Sequence, residues 1–134
     1  MTRSEREWLD DILESISAID RYMARGDLHD ELIFDGCLHR LMEIGEAAKH
    51  LDVDLYPDDP EVPWSRIAGM RDFITHHYFD IDPEIVHDTI TTKLEPLRAA
   101  VESLIAGGEH VPITDSTSAI WEPPSPDFEG PGFV

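Results

Sequence analysis

A chain of 134 residues holds one domain with a sizeable core and is too short for two comfortable ones. Ten basic residues against 29 acidic ones give a formal net charge of −19, which argues against broad binding to a phosphate backbone and confines any nucleic-acid contact to a small local site. The single cysteine, Cys37, excludes an internal disulfide. The N-terminal MTRSEREWLDDILESIS is charged throughout and reads as neither signal peptide nor membrane span, so a cytoplasmic protein with no membrane segment is expected.

Four amphipathic stretches follow one another, with no strand-like alternation of comparable length. The first, from about Ser4 to Arg25, repeats Leu9, Ile12, Leu13, Ile16, Ile19 and Met23 at helical spacing, and Gly26 is expected to stop it. The second, from about Asp30 to Leu51, places Cys37, Leu38, Leu41, Ile44 and Ala48 near one stripe, and the small residues Gly45, Ala47 and Ala48 invite close approach by a neighbour. Asp52 to Pro63 is an Asp- and Pro-rich linker. It lacks the Gly and terminal Glu of a calcium loop.

A third helix is expected to start at Pro63 or Trp64, with Trp64 as a packing anchor, and to continue to Phe79. After the turn Asp80-Ile81-Asp82, a fourth runs from Pro83 to about Ala106 and should kink at Pro96. From Gly107 the chain turns rich in Pro and Ser, without Lys or Arg, and reads as an acidic tail in which Ile120, Trp121 and Phe128 are the apolar docking candidates. The expected architecture is all-α: an up-and-down four-helix bundle over residues 1–106, with an irregular extension at 107–134.

The densest chemical signal is GMRDFITHHYFDID, Gly69 to Asp82. On a regular helix Ile67, Met70, Ile74 and His77 share the core-facing stripe, so His77 is expected at the core edge. Ser65, Gly69, Asp72 and His76 share the opposite, polar face, flanked by Arg71, Thr75 and Tyr78. His76 is then the residue suited to proton transfer near neutral pH, with Asp72 one turn earlier to orient its ring. Arg71 supplies a planar cation that matches phosphate oxygens. Arg71, His76 and Tyr78 together would suffice for cleavage of RNA by its own 2′-hydroxyl, without metal or cofactor, with His76 moving protons, Arg71 stabilising the charge on phosphorus and Tyr78 in support. Arg71 and His76 stand roughly 140° apart around a regular helix, so convergence requires a distorted helix end, the reach of arginine or a two-fold dimer axis, and a homodimer is favoured.

The segments IGEAAKHL at 44–51, PWSRIAGMRDFITHHYF at 63–79 and the DIDPEIVHDTI that follows resemble the HepT-like toxins of the HEPN superfamily, over roughly residues 4–106. The R-x4-H-x-Y signature of that family is matched by Arg71, His76 and Tyr78. The resemblance implies a dimeric helical bundle acting as a metal-independent endoribonuclease, the toxin of a toxin–antitoxin pair. It also implies a partner, an MNT-type nucleotidyltransferase antitoxin, and neutralisation by AMPylation of Tyr78. At the position after the motif arginine the family often carries asparagine; this chain has Asp72.

Two rival readings stand beside it. A non-catalytic acidic subunit that binds a nucleotidyltransferase, or its substrate, accounts better for the charge. Metal binding by the seven histidines and the Asp80–Asp82 pair ranks well behind, because adjacent histidines on a helix diverge by about 100°.

Overall fold

The computed structural model describes residues 4–52 and 61–107. Most of the expected linker and all but the first residue of the expected tail lie outside the described residues. Within them the chain is all helical: α1 (Glu5–Met23), α2 (Glu31–Lys49), α3 (Trp64–Ala68), α4 (Met70–His77), a 3-10 turn (Tyr78–Asp80) and α5 (Pro83–Gly107).

Helix starts follow local chemistry. Ser4 and Glu7 form a reciprocal capping box, with Glu7 N–H donating to Ser4 Oγ and Ser4 N–H donating to Glu7 Oε1. Asp30 Oδ1 accepts from the Leu32 and Ile33 amides to open α2. Asp82 Oδ1 accepts from Glu84 N–H at 2.8 Å, just ahead of Pro83 in the first turn of α5. The stops are less literal. α1 ends at Met23, with Ala24 as its cap, and reaches its end before Gly26.

The expected third helix is broken in two places. α3 closes at Gly69, whose N–H is shared between the Ser65 and Arg66 carbonyls, and α4 begins at once. The cause lies across the interface at Gly45. A Cβ there would stand 2.8 Å from Arg71 N, 3.1 Å from Ile67 O and 3.2 Å from Met70 Cβ, so α2 packs directly against the junction's backbone. The second break is at His77, whose φ of −122° and ψ of 19° leave the α basin and tighten the chain into the 3-10 turn. α5 runs through Pro96 as one helix from Pro83 to Gly107. The proline there removes the donor that would serve the Thr92 carbonyl.

With α3 and α4 taken as one interrupted rod, four rods run up and down. α2 packs against α1 on one side and α3–α4 on the other, while α5 covers α1. The antiparallel pairing shows in long-range bonds: Asp52 N–H donates to Glu5 Oε2, and Tyr78, at the end of the α4 rod, bonds Asp35 near the start of α2. Ile12, Ile16 and Ile19 of α1, Leu38, Leu41 and Ile44 of α2, Met70 and Ile74 of α4, and Leu97 and Val101 of α5 are all sealed from water. Each such side chain contributes about 1.5–3 kcal/mol of burial, so the stripes read from the sequence are the core. Cys37 is fully buried among them and its thiol is pushed up to about 11 by desolvation, which leaves it inert. Trp64 is buried as an anchor. Among the described residues no helix is long and apolar enough to cross a membrane.

Candidate functional site

α4 lies antiparallel against α2, and this pairing decides which side chains meet. Close packing at Gly45 brings the next residue, Glu46, to the motif arginine, with Arg71 Nε 3.4 Å from Glu46 Oε1. Arg71 also lies 3.7 Å from the Asp72 carboxylate, whose other oxygen is 3.5 Å from Lys49 Nζ. Glu46 in turn reaches His50 Nε2 at 3.0 Å, and the His50 ring stacks flat on Trp8 of α1 at 4.2 Å. A half-exposed chain of alternating charge therefore runs Lys49–Asp72–Arg71–Glu46, and Glu46 bonds onward to His50, which lies against Trp8. Exposed pairs of this kind each contribute about 0–1 kcal/mol, so they orient Arg71 more than they stabilise the fold.

His76 faces water, as its place on the polar face predicts. Its Nδ1 lies 2.8 Å from the backbone carbonyl of Asp72. A carbonyl only accepts, so Nδ1 carries the proton and, in the neutral ring, Nε2 presents a free lone pair to solvent. The orienting group is thus the main chain of Asp72, while the Asp72 carboxylate turns to Lys49 and Arg71. His77 departs from its expected place at the core edge. It is exposed and stacks on Phe73 with ring centroids 4.4 Å apart, because the helix leaves α geometry at His77 and carries the ring off the apolar stripe.

Tyr78 belongs to a different neighbourhood. Its hydroxyl donates to Asp35 Oδ1 at 2.8 Å, and its pKa is held above the ordinary tyrosine value, chiefly by that bond, then by desolvation and the charges of Asp35 and Glu31. Asp35 and Glu46 are eleven positions apart on α2, about 16 Å along the axis. Arg71 and Asp72 are brought together with Glu46 and Lys49. His76 stands beyond them on the same helix, and the Tyr78 oxygen lies toward the far end of α2. Arg71 and Tyr78 are thus held by different parts of α2, through Glu46 and Asp35 respectively.

The residues that sequence reasoning missed are Glu46, Lys49, His50 and Asp35. Glu46, Lys49 and His50 lie in the IGEAAKHL segment about one turn apart on α2, and nothing local says which helix they face. Among the described residues no three His, Cys, Asp or Glu side chains gather into a metal-binding group. A cleft of about 420 Å³ opens between the α1–α2 loop (Asp27, Leu28, His29) and the start of α5 (Pro83, Glu84, His87, Asp88), and none of the motif residues lines it.

Comparison of the sequence with known proteins points to one family. The profile described as "Ribonuclease HepT-like" covers residues 12–104, from the middle of α1 almost to the end of α5. "Probable ribonuclease HepT" from Thermococcus cleftensis is 31% identical over 109 residues, 78% of this chain and 98% of that protein. A "Putative RNase" of Methanocaldococcus jannaschii is 34% identical over 105 residues, 75% of this chain and 86% of its own length. No solved structure gives a significant match. With a helical bundle of the expected kind and a profile match that spans its core helices, the chain belongs to the HepT-like family of the HEPN superfamily.

Proposed function

We propose that the chain is a metal-independent endoribonuclease acting through Arg71 and His76. The observation that carries this reading is the exposed His76 ring, whose Nδ1 bonds the Asp72 carbonyl and leaves Nε2 as the basic nitrogen of the neutral ring, on the same short helix as Arg71. In the proposed step Nε2 takes the proton of the RNA 2′-hydroxyl, whose oxygen attacks the adjacent phosphorus. The P–O5′ bond breaks, leaving a 2′,3′-cyclic phosphate and a 5′-hydroxyl that is protonated as it departs. Arg71 stabilises the charge gathering on the non-bridging oxygens. A second copy of the chain would place another His76 and Arg71 across a two-fold axis, supplying the acid and a second cation, so the reading includes a homodimer. Family membership supports ribonuclease chemistry, and the biological setting we infer with it is that of a cytoplasmic toxin. Its MNT-type nucleotidyltransferase antitoxin would neutralise it by AMPylation of Tyr78.

The test is induced expression of wild type, His76→Ala and Arg71→Ala, with growth and RNA integrity followed, and cleavage by the purified protein assayed in excess chelator. Growth arrest and RNA loss confined to the wild type, with cyclic-phosphate ends formed in chelator, is the expected result. Cleavage that survives His76→Ala, or that stops in chelator, overturns the mechanism.

A second reading has its own observation. Arg71 is already engaged by Glu46 and Asp72 in a chain of net charge −19, which suits a non-catalytic subunit that binds a nucleotidyltransferase or its substrate. Intact RNA and normal growth in all strains, together with retained partner binding, would select it.

A further inference from the structure

Beside the Arg71–Glu46 pair lies a flat aromatic surface that the cleavage step leaves unused. The His50 ring, at the end of α2, stacks on the indole of Trp8 from α1 with only 4° between their planes and 4.2 Å between their centroids. Glu46, one turn earlier, takes the Nε2 edge at 3.0 Å. The His50 side chain is nevertheless 46% exposed. With Trp8 on one face and Glu46 on one edge, that exposed area belongs to the opposite face and the remaining edge. A ring held flat from behind and bare in front has little freedom left to lose when a second ring settles on it.

Its place selects the ring it would take. Glu46 Oε1 lies 3.4 Å from Arg71 Nε while Oε2 bonds His50, so one carboxylate separates the motif cation from the platform. In a nucleotide one ribose separates the phosphate from the base, a span of similar size. Lys49, next to His50 in the chain, sends its ammonium to Asp72, the other carboxylate beside Arg71. Cations on one flank and an open π face on the other suit single-stranded nucleic acid, whose backbone goes to the charges and whose bases lie on aromatic rings. Paired RNA is disfavoured, because its bases are stacked on one another and offer no free face. The homodimer is compatible with this: a cleft that admits RNA to Arg71 admits a base to a ring one carboxylate away.

We propose that the open face of His50, backed by Trp8, is the base subsite of the cleavage site. It stacks the nucleobase beside the phosphate held by Arg71 in single-stranded RNA, and it favours purines, whose larger rings stack more strongly. This subsite rests on the ribonuclease reading for its substrate and deepens that reading by giving one position of the RNA a preference.

The experiment uses the full chain and a short oligouridine RNA carrying one 2-aminopurine, whose fluorescence is quenched by stacking. A second RNA has an abasic site at that position. Both are 2′-fluoro, and so uncleavable, for binding, and unmodified for cleavage. Binding to the wild type should quench the 2-aminopurine, and the abasic RNA should bind about tenfold more weakly. His50→Ala should abolish the quenching and bind both RNAs equally. His50→Phe should restore the difference, since a phenyl ring stacks without bonding Glu46. Cleavage by the wild type should fall beside the purine and lose that preference in His50→Ala. Failure to bind either RNA, or equal binding of the two by the wild type, overturns the proposal. So does a loss in His50→Ala that preserves the ratio between the two RNAs, which marks an effect on the helix end. A preference that survives His50→Ala and vanishes in His77→Ala overturns it in favour of the His77–Phe73 stack. Quenching without cleavage leaves the platform standing as the ribonuclease reading falls, whereas cleavage indifferent to the base and to His50 does the reverse.

Discussion

Arg71 stands between two carboxylates, and its availability to a phosphate depends on what those carboxylates do. Glu46→Gln removes one competitor and also releases His50, so tighter RNA binding and, if the endoribonuclease reading holds, faster cleavage are expected in a comparison of Kd and rate at fixed salt. On the same reading, His76→Ala should slow cleavage about 10²–10⁴-fold, the usual weight of a general base. Tyr78 offers a cleaner electrostatic test. Its folded pKa lies above the ordinary tyrosine value because the bond it donates to Asp35 favours the protonated hydroxyl, so the bond favours the fold below the tyrosine range and is lost as pH rises through the folded pKa. Asp35→Asn should therefore bring the Tyr78 titration back toward the ordinary value, read from the tyrosine ring carbon shifts and assigned with Tyr78→Phe. An unchanged titration would mean that burial, and not Asp35, holds the proton.

The motif helix owes its position to α2 more than to its own sequence. At Gly45 the two backbones are so close that one methyl group has nowhere to go, since its neighbours are main-chain atoms of Ile67 and Arg71 that cannot rotate away. Gly45→Ala gains helix propensity, worth roughly 1 kcal/mol, and loses more through overpacking, so a net destabilisation of about 1–2 kcal/mol is expected in denaturant unfolding. The same substitution should lower activity beyond its effect on stability, because it pushes the Arg71 backbone away from Glu46. At the start of α1, Ser4→Ala removes a capping-box acceptor and should cost about 1 kcal/mol without touching the site. The contrast between these two variants separates loss of stability from loss of alignment.

For the molecule as a whole, a net charge of −19 sets both stability and recognition. Self-repulsion is screened by salt, so the melting temperature should rise with added salt, while RNA binding should weaken. If only Arg71 and Lys49 of each protomer meet phosphates, the slope of log K against log salt for single-stranded RNA should be shallow, about −1.4 per protomer. A much steeper slope would place the RNA on a surface other than the α2–α4 face.

The order of helices, their stripes and their starts near Ser4 and Asp30 were legible in the amino-acid sequence, because apolar periodicity is a local property that survives in any tertiary context. So was family membership, carried by Arg71, His76, Tyr78 and the segments around them. Local reading failed where two helices meet. The breaks at Gly69 and His77, the exposure of His77, the turn of the Asp72 carboxylate toward Lys49 and the capture of Tyr78 by Asp35 follow from the antiparallel fit of α4 on α2. A helical wheel assigns each residue an angle around one axis. Only the packed bundle supplies the second axis, and with it the partners that decide where a charge or a ring comes to rest.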